Sequence, residues 1–377
     1  MANITLITRN FPPLTGGMER LVHQFYLQLV KRHQCNLVGP GGCQEFTEPG
    51  HRVIETKVSP TSLFLILSLL KSVFCHVVGP RPDVVIGGSG LVAPVVVLVA
   101  MLFRAKSIVM IHGLDIVADS RAYQWFFVPF LRHADLLISN SHNTSRLAID
   151  SGVHADRIEI IFPGVFIPED LPMRSLARAS LDLDGKTLLL SVGRLIPRKG
   201  LAEFISAAFV ELAANNPNYV FWIAGDEPRN GLAKQAGSVL EAVRALIEEN
   251  TLEDRVRLVG RADDALLEQL YLSADAFIFP LIETRGDVEG FGMVAVEAAV
   301  YGTPTIAFDC GGVGDAVENG KSGYLVAAGD YPEFGRRIVQ VVEDDMRVSV
   351  REFAQGFSWK SYSQQLQTLI DGVLYDQ

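Results

Sequence analysis

The chain is 377 residues long, more than one ordinary hydrophobic core accommodates, so two domains are expected. With 49% hydrophobic and 20% charged residues it is no disordered chain. The net charge of −10 argues against a nucleic-acid polymer as the main partner.

The charge is uneven. Residues 1–150 hold 13 Lys+Arg against 9 Asp+Glu, and the remainder holds 20 against 34. The basic first part suits an anionic membrane surface or acceptor, and ordinary scatter of surface charge explains it equally well.

Along the chain, short apolar runs alternate with helical patterns, the mark of parallel α/β units. The first half offers strands at ITLIT (4–8), NLVG (36–39), VVIG (84–87), SIVMIH (107–112), LLIS (136–139) and IEII (158–161). Each is nearly continuous in hydrophobicity, as strands covered on both faces require. Residues 84–103 carry no charge and are long enough to span a bilayer. The break at Gly87-Gly88-Ser89-Gly90 and Pro94 instead predicts a buried strand, a turn and a buried helix capped by Arg104. Residues 61–78 are also apolar, interrupted by Lys71 and His76, and peripheral membrane contact by one of these faces stays open. Residues 163–186, with Pro163, Pro168 and Pro172, read as an interdomain linker. Strands then resume at TLLLSV (187–192), YVFWIA (219–224), VRLVG (256–260), AFIFP (276–280), PTIAF (304–308) and YLV (324–326). From Trp359 to Val373, one helical stripe carries Trp359, Tyr362, Leu366, Leu369, Ile370 and Val373, which predicts a packing helix. The expected division is 1–170 and 171–350, two doubly wound Rossmann-like domains. Residues 351–377 form packing helices, with a crossing back to the first domain as one option.

Cys35, Cys43, Cys75 and Cys310 stand far apart without a CxxC pair, which reads as a reduced, cytosolic chain with no structural zinc. The start lacks a basic n-region and a cleavage site, so no signal peptide is expected.

Neither common phosphate fingerprint is present: no GxxxxGK[ST], and no GxGxxG after the first strand. The first strand leads instead into Pro12-Pro13-Leu14-Thr15-Gly16-Gly17, then a helical pattern. Two glycines at a helix start admit a ligand close to the backbone, though a tight strand-to-helix turn has the same look. After the first strand of the second half comes Gly193-Arg194-Leu195-Ile196-Pro197-Arg198-Lys199-Gly200, where fixed cations would neutralise a diphosphate. A solvated basic loop is the plainer reading. The stretch from Asp287 through Glu289, Gly290, Phe291, Gly292, Met293 and Val294 to Glu297 leads into a helix. Glu289 falls in the loop and Glu297 about two turns on, close to the same face. His112, followed by Gly113, ends a strand, where a histidine is either a ligand contact or a satisfied structural residue.

This ordered set resembles the family-four retaining glycosyltransferases of the GT-B fold (glycosyltransferase group 1). It is carried by Gly16-Gly17, His112-Gly113, Arg194 to Lys199, the Glu289 to Glu297 spacing and Phe357-Ser358-Trp359. RGDVEGFG (285–292) resembles the corresponding loop of phosphatidylinositol-mannoside-type mannosyltransferases. The resemblance implies two Rossmann-like domains with a cleft between them, and a sugar-diphosphate nucleotide as donor. It implies that Arg194 and Lys199 hold the diphosphate, Glu289 contacts donor sugar hydroxyls, and Glu297 binds the ribose. It puts backbone groups around Phe291, Gly292, Met293 and Val294 against sugar and phosphate, Gly17 near the phosphate, His112 near the reacting sugar, and the base near Gly260-Arg261.

The expected reaction is transfer of a mannose- or glucose-type hexose, with retention, to a lipid-linked or glycan acceptor. The donor is GDP-mannose or a UDP-sugar, and neither a cofactor nor a metal is required. The expected location is cytoplasmic, with the inner face of the membrane as an option. A sugar-nucleotide epimerase of the same fold, a non-catalytic nucleotide-sugar-binding protein and a membrane-embedded protein are the rivals.

Overall fold

A computed structural model describes residues 1–227 and 238–375. They pack into two compact units, Met1–Gly164 with Trp359–Gln377, and Val165–Ser358. The divisions fall at Gly164/Val165 and Ser358/Trp359, against 170/171 and 350/351 expected from the sequence.

The first unit is built on a seven-stranded parallel sheet: β1 (Asn3–Ile7), β2 (Gln34–Pro40), β3 (Arg52–Thr56), β4 (Val84–Gly87), β5 (Lys106–Ile111), β6 (Leu136–Ser139) and β7 (Ile158–Ile160). Their order is β3-β2-β1-β4-β5-β6-β7. Alternation along β1 divides its side chains between two cores. Ile4 and Leu6 join the layer formed by α1 (Gly17–Leu29) and the helix Trp359–Tyr375, to which Phe25, Tyr26, Tyr362, Leu366 and Ile370 contribute. Burying an aromatic ring such as Phe25 contributes about 2–3 kcal/mol. Ile7 joins the opposite layer, with α2 (Thr61–Val77) and α3 (Ala93–Phe103). Thr5, also on that side, shares a 2.8 Å hydrogen bond with His76 of α2.

The apolar run at 84–103 is broken as the glycines and proline predict. β4 ends at Gly87, Pro94 lies in the first turn of α3, and Arg104 closes that helix in the left-handed conformation at φ 57°. Among the described residues no helix is long and apolar enough to cross a membrane.

Two expectations change. The sequence reading gave the first sheet six strands; β3 is the seventh. Its stretch RVIET buries only Thr56, because it is an edge strand and has no continuous apolar run to betray it. Nor is 163–186 a bare linker, since Arg174–Ser180 is a helix. Arg174 and Arg178, one turn apart, both ion-pair with Asp275, at 2.5 and 3.1 Å, which fastens this helix to the second unit.

The second unit has six parallel strands: β8 (Thr187–Val192), β9 (Tyr219–Ala224), β10 (Val256–Gly260), β11 (Ala276–Phe279), β12 (Thr305–Phe308) and β13 (Gly323–Val326). Their order is β10-β9-β8-β11-β12-β13. Phe204, Phe209, Phe221, Phe308 and Phe334 are fully buried and interlock as tilted and edge-on rings.

Candidate active site

In a doubly wound sheet the strand order reverses at one place, and loops leaving the carboxyl ends of the two strands there diverge to opposite faces, opening a crevice. In the second unit that place lies between β8 and β11. The loop after β8 carries Arg194 to Gly200, and the loop after β11 carries Asp287 to Gly292, so topology alone brings the two segments together.

After β8 the chain makes one 3-10 turn, Pro197–Lys199, ending at Gly200 with φ 63°. A side chain at Gly200 would land on the carbonyl oxygen of Pro280, so only glycine lets this loop lie against the end of β11. Ile282 N–H donates to Arg198 O at 3.0 Å and locks the approach. The tight turn directs two adjacent cations inward. Arg198 and Lys199 are both buried, and both donate to the same oxygen, Glu289 Oε2, the lysine at 2.9 Å. Arg198 Nε also lies 3.1 Å from Asp287 Oδ2. Lys199 Nζ sits 4.5 Å above the Phe279 ring, adding a cation–π contact.

The electrostatics follow from burial opposed by pairing. Burial alone would raise Glu289, yet Lys199 and then Arg198 reverse this and hold its carboxyl down at about 2. Burial pushes the Lys199 ammonium down, and Glu289 opposes it only in part. For Arg198, burial works against the charge, but Glu289 and Asp287 outweigh it and hold the guanidinium above its ordinary range. Glu289 and Arg198 are therefore ionised at neutral pH.

Next to it, Gly292, at φ 98°, opens the helix Met293–Val300, and no side chain caps that helix. Its leading amides, at Met293 and Val294, thus present an N-terminal dipole suited to an anion. Phe291 is buried against Phe357, with ring centroids 5.8 Å apart. A diphosphate would meet positive charge from Lys199 and exposed Arg194, plus the helix amides. Among the described residues no group of three or more His, Cys, Asp or Glu side chains is placed to hold a metal ion.

Of the residues named from sequence, Lys199 and Glu289 meet directly. Arg194 is exposed, and its charge bears on Lys199, while the buried guanidinium on Glu289 is Arg198. Sequence reasoning passed over Arg198 and Asp287. The signal was there in two adjacent cations flanked by Pro197 and Gly200, a combination that makes a turn too tight to alternate sides. Glu297 lies half-buried in the second turn of its helix and accepts from Tyr271 Oη at 3.2 Å. Gly260 ends β10 at φ 76° and accepts from Gly225 N–H at 2.8 Å, with exposed Arg261 after it.

In the first unit the reversal lies between β1 and β4. Gly16 and Gly17 stand at the N-terminus of α1, again with no side-chain cap, and the space around a side chain at Gly17 is open. Glu19, in that first turn, accepts from Asn10 Nδ2 at 2.8 Å. His112, just past β5, is buried, and its Nε2 lies 2.9 Å from the carbonyl of Gly88, the residue after β4. A carbonyl only accepts, so Nε2 carries the proton, and in the neutral ring Nδ1 is an acceptor. Nδ1 is buried with no protein partner.

Comparison with known proteins gives a consistent result. The family model described as glycosyl transferases group 1 matches residues 173–357, and a glycosyl transferase 4-like domain matches 16–164. A GDP-mannose-dependent alpha-(1-6)-phosphatidylinositol monomannoside mannosyltransferase of Mycolicibacterium smegmatis is 27% identical over 397 residues, covering 97% of this chain and 98% of that protein. A D-inositol 3-phosphate glycosyltransferase of Rhodococcus jostii is 31% identical over 238 residues, and the match spans 60% of this chain and 50% of the relative. Among solved structures, Anabaena HepE in complex with UDP superposes with a TM-score of 0.81 at 23% identity, covering 99% of this chain and all of that one. Sucrose-phosphate synthase of Thermosynechococcus elongatus gives 0.80 at 20% identity, with full coverage of both chains. The fold is the two-domain, Rossmann-like GT-B fold.

Proposed function

This chain belongs to the group 1 glycosyltransferases, and on that premise we propose that it transfers a hexose, with retention, from a nucleotide-diphosphate sugar to a lipid-linked or glycan acceptor. The observation that carries the reading is the meeting of Lys199 and Arg198 on Glu289 beside the uncapped helix at Met293.

Each role rests on chemistry. As the glycosidic bond to the donor breaks, negative charge grows on the departing diphosphate. Cations and amides fixed before the reaction stabilise that charge more than they stabilise the ground state. Lys199, Arg194 and the amides of Met293 and Val294 fill this role. Glu289, held ionised by its two cations, accepts from the donor sugar hydroxyls. Because that pairing spreads its charge, Glu289 is a poor nucleophile, and the proposed path is same-face substitution assisted by the leaving phosphate. Glu297 accepts from the ribose diol, and the base lies by Gly260 and Arg261. Gly17 approaches the phosphates, and His112 Nδ1 accepts from a hydroxyl of the reacting sugar.

The near full-length likeness to a GDP-mannose-dependent enzyme supports GDP-mannose as donor, with UDP-glucose as the alternative. The same likeness, to an enzyme named for a phosphatidylinositol mannoside, supports an acceptor held at a membrane and so a peripheral membrane location.

The test has two parts. A panel of nucleotide sugars is screened for thermal stabilisation, since a bound donor raises the melting temperature by mass action. The stabilising donor is then incubated with glycolipid and glycan acceptors, and the anomeric configuration of the product is read by NMR. Stabilisation by GDP-mannose and an α-linked product support the reading. Conversion of the donor alone to an epimer refutes it, and a β-linked product refutes retention.

A further inference from the structure

We propose that the first unit docks on an anionic lipid bilayer through the outer surface of α2, α3 and the short helix Arg121–Phe126, lying on the surface rather than crossing it. This deepens the membrane-associated reading above and rests on it for the choice of occupant.

The argument begins with α2. At 100° per residue, Leu63, Ile66, Leu70, Phe74 and Val77 fall within an arc of about 80°. All five are exposed, Phe74 at 64% and Val77 at 69%. The opposite side is already used, with Phe64 in the core and Leu65, Leu69 and Val73 packed on it. The outward stripe is therefore surplus to folding. α3, which packs beside α2, is hydrophobic around its whole circumference and also exposes Leu98, Met101 (72%) and Leu102. The helix Arg121–Phe126 buries none of its six residues and exposes Trp125 (78%) and Phe126. Scattered apolar residues on a surface need no explanation, but an aligned stripe on α2 with further exposed apolar residues on α3 packed beside it does, and the helix Arg121–Phe126 is linked to α3 through the helix Val128–Leu131.

Charge decides the occupant. Across residues 57–126, which hold all three helices, the cations are Lys57, Lys71, Arg81, Arg104, Lys106 and Arg121, and the acids are Asp83, Asp115 and Asp119. Glu55, whose carbonyl accepts from Lys71, lies just outside this span. A shallow groove of about 330 Å³, lined by Ile54, Leu70 and Phe74, is flanked by Arg52 and Lys71, an apolar floor with a basic rim. That pairing matches acyl chains beneath anionic headgroups. The exposed stripe itself is apolar and offers few polar groups for a protein partner to pair with, whereas it suits a lipid interface. Among the described residues no helix, α2 included, is long and apolar enough to cross the bilayer. α3 has 11 residues, a rise of roughly 16 Å, about half the hydrocarbon thickness.

The test is sedimentation of the full chain with vesicles of equal parts phosphatidylglycerol and phosphatidylcholine, and with vesicles of phosphatidylcholine alone. Wild type sediments with the anionic vesicles and less with the neutral ones, and high salt weakens binding. The double variant Phe74→Ser/Trp125→Ser binds at least about tenfold more weakly, because two exposed rings no longer enter the interface. Its melting temperature and its thermal stabilisation by the donor stay at wild-type levels. No preference for anionic vesicles, or equal binding by the variant, overturns the proposal. So does a stable dimer in gel filtration that the variant splits, because a second copy would then cover the stripe. Transfer separates the two readings: no glycosylated product from any donor and acceptor of the panel in wild type sinks the transferase, while sedimentation still judges the surface.

Discussion

The two units solve the same topological problem with different electrostatics. Each sheet reverses its strand order near the middle, and each puts an uncapped helix N-terminus at the reversal, at Gly17 in one and Met293 in the other. In the second unit the crevice is ionic, with two buried cations sharing one carboxylate oxygen. In the first no buried cations converge among the described residues: it holds a glycine turn, the Glu19 carboxylate on Asn10, and an imidazole that spends one nitrogen on a backbone carbonyl. A fold fixes where a ligand sits, while the side chains at the reversal fix what kind. Paired charges suit a phosphate that gains charge in the reaction; an uncharged acceptor suits hydroxyls that do not.

This contrast makes substitutions behave differently in the two units. On the proposed reading the largest effect belongs to Lys199→Ala, which removes fixed positive charge from the diphosphate site; kcat/KM falls about 100-fold or more in steady-state assays. Glu289→Ala couples both properties. Turnover falls at least about tenfold, and buried Arg198 and Lys199 lose their shared partner, so denaturant melts show a loss on the order of 3 kcal/mol. In the first unit, His112→Ala lowers turnover about tenfold and costs about 1–3 kcal/mol of stability in denaturant melts, because the buried carbonyl of Gly88 loses its donor. The smallest effect is in pH. Glu289 is held at about 2 against an ordinary 4.5. Its contribution to stability is complete above about 4.5 and is lost as pH falls from there toward 2, because the unfolded chain takes up the proton first. In Glu289→Gln this component of the acid-side slope vanishes. Equal pH slopes for variant and wild type would show that the cluster is not ionised, and the contrast between the units would fail.

Sequence patterning reached most of the architecture, because buried parallel strands must be largely apolar, and every strand but β3 has such a run. β3 escaped because an edge strand has no such need. The site was legible where glycine and charge coincide: Gly200 and Lys199, Gly292 and Glu289. Arg198 was passed over because spacing along the chain does not say which way a 3-10 turn points its side chains. In the same way, the eight-residue spacing suggested that Glu289 and Glu297 share a face. The structure gives them different partners, two cations for one and Tyr271 for the other, because Glu289 precedes the helix and does not obey its period.

The helix Trp359–Tyr375 has a consequence for biosynthesis. Tyr362, Leu366 and Ile370 complete a core whose other members lie among residues 2–161. A ribosome therefore releases every residue of the second unit before the first can finish its interior. The 165–358 segment is free to fold while its neighbour waits with one flank open, and a premature stop anywhere in that segment would leave the amino-terminal half with a permanently unfilled wall.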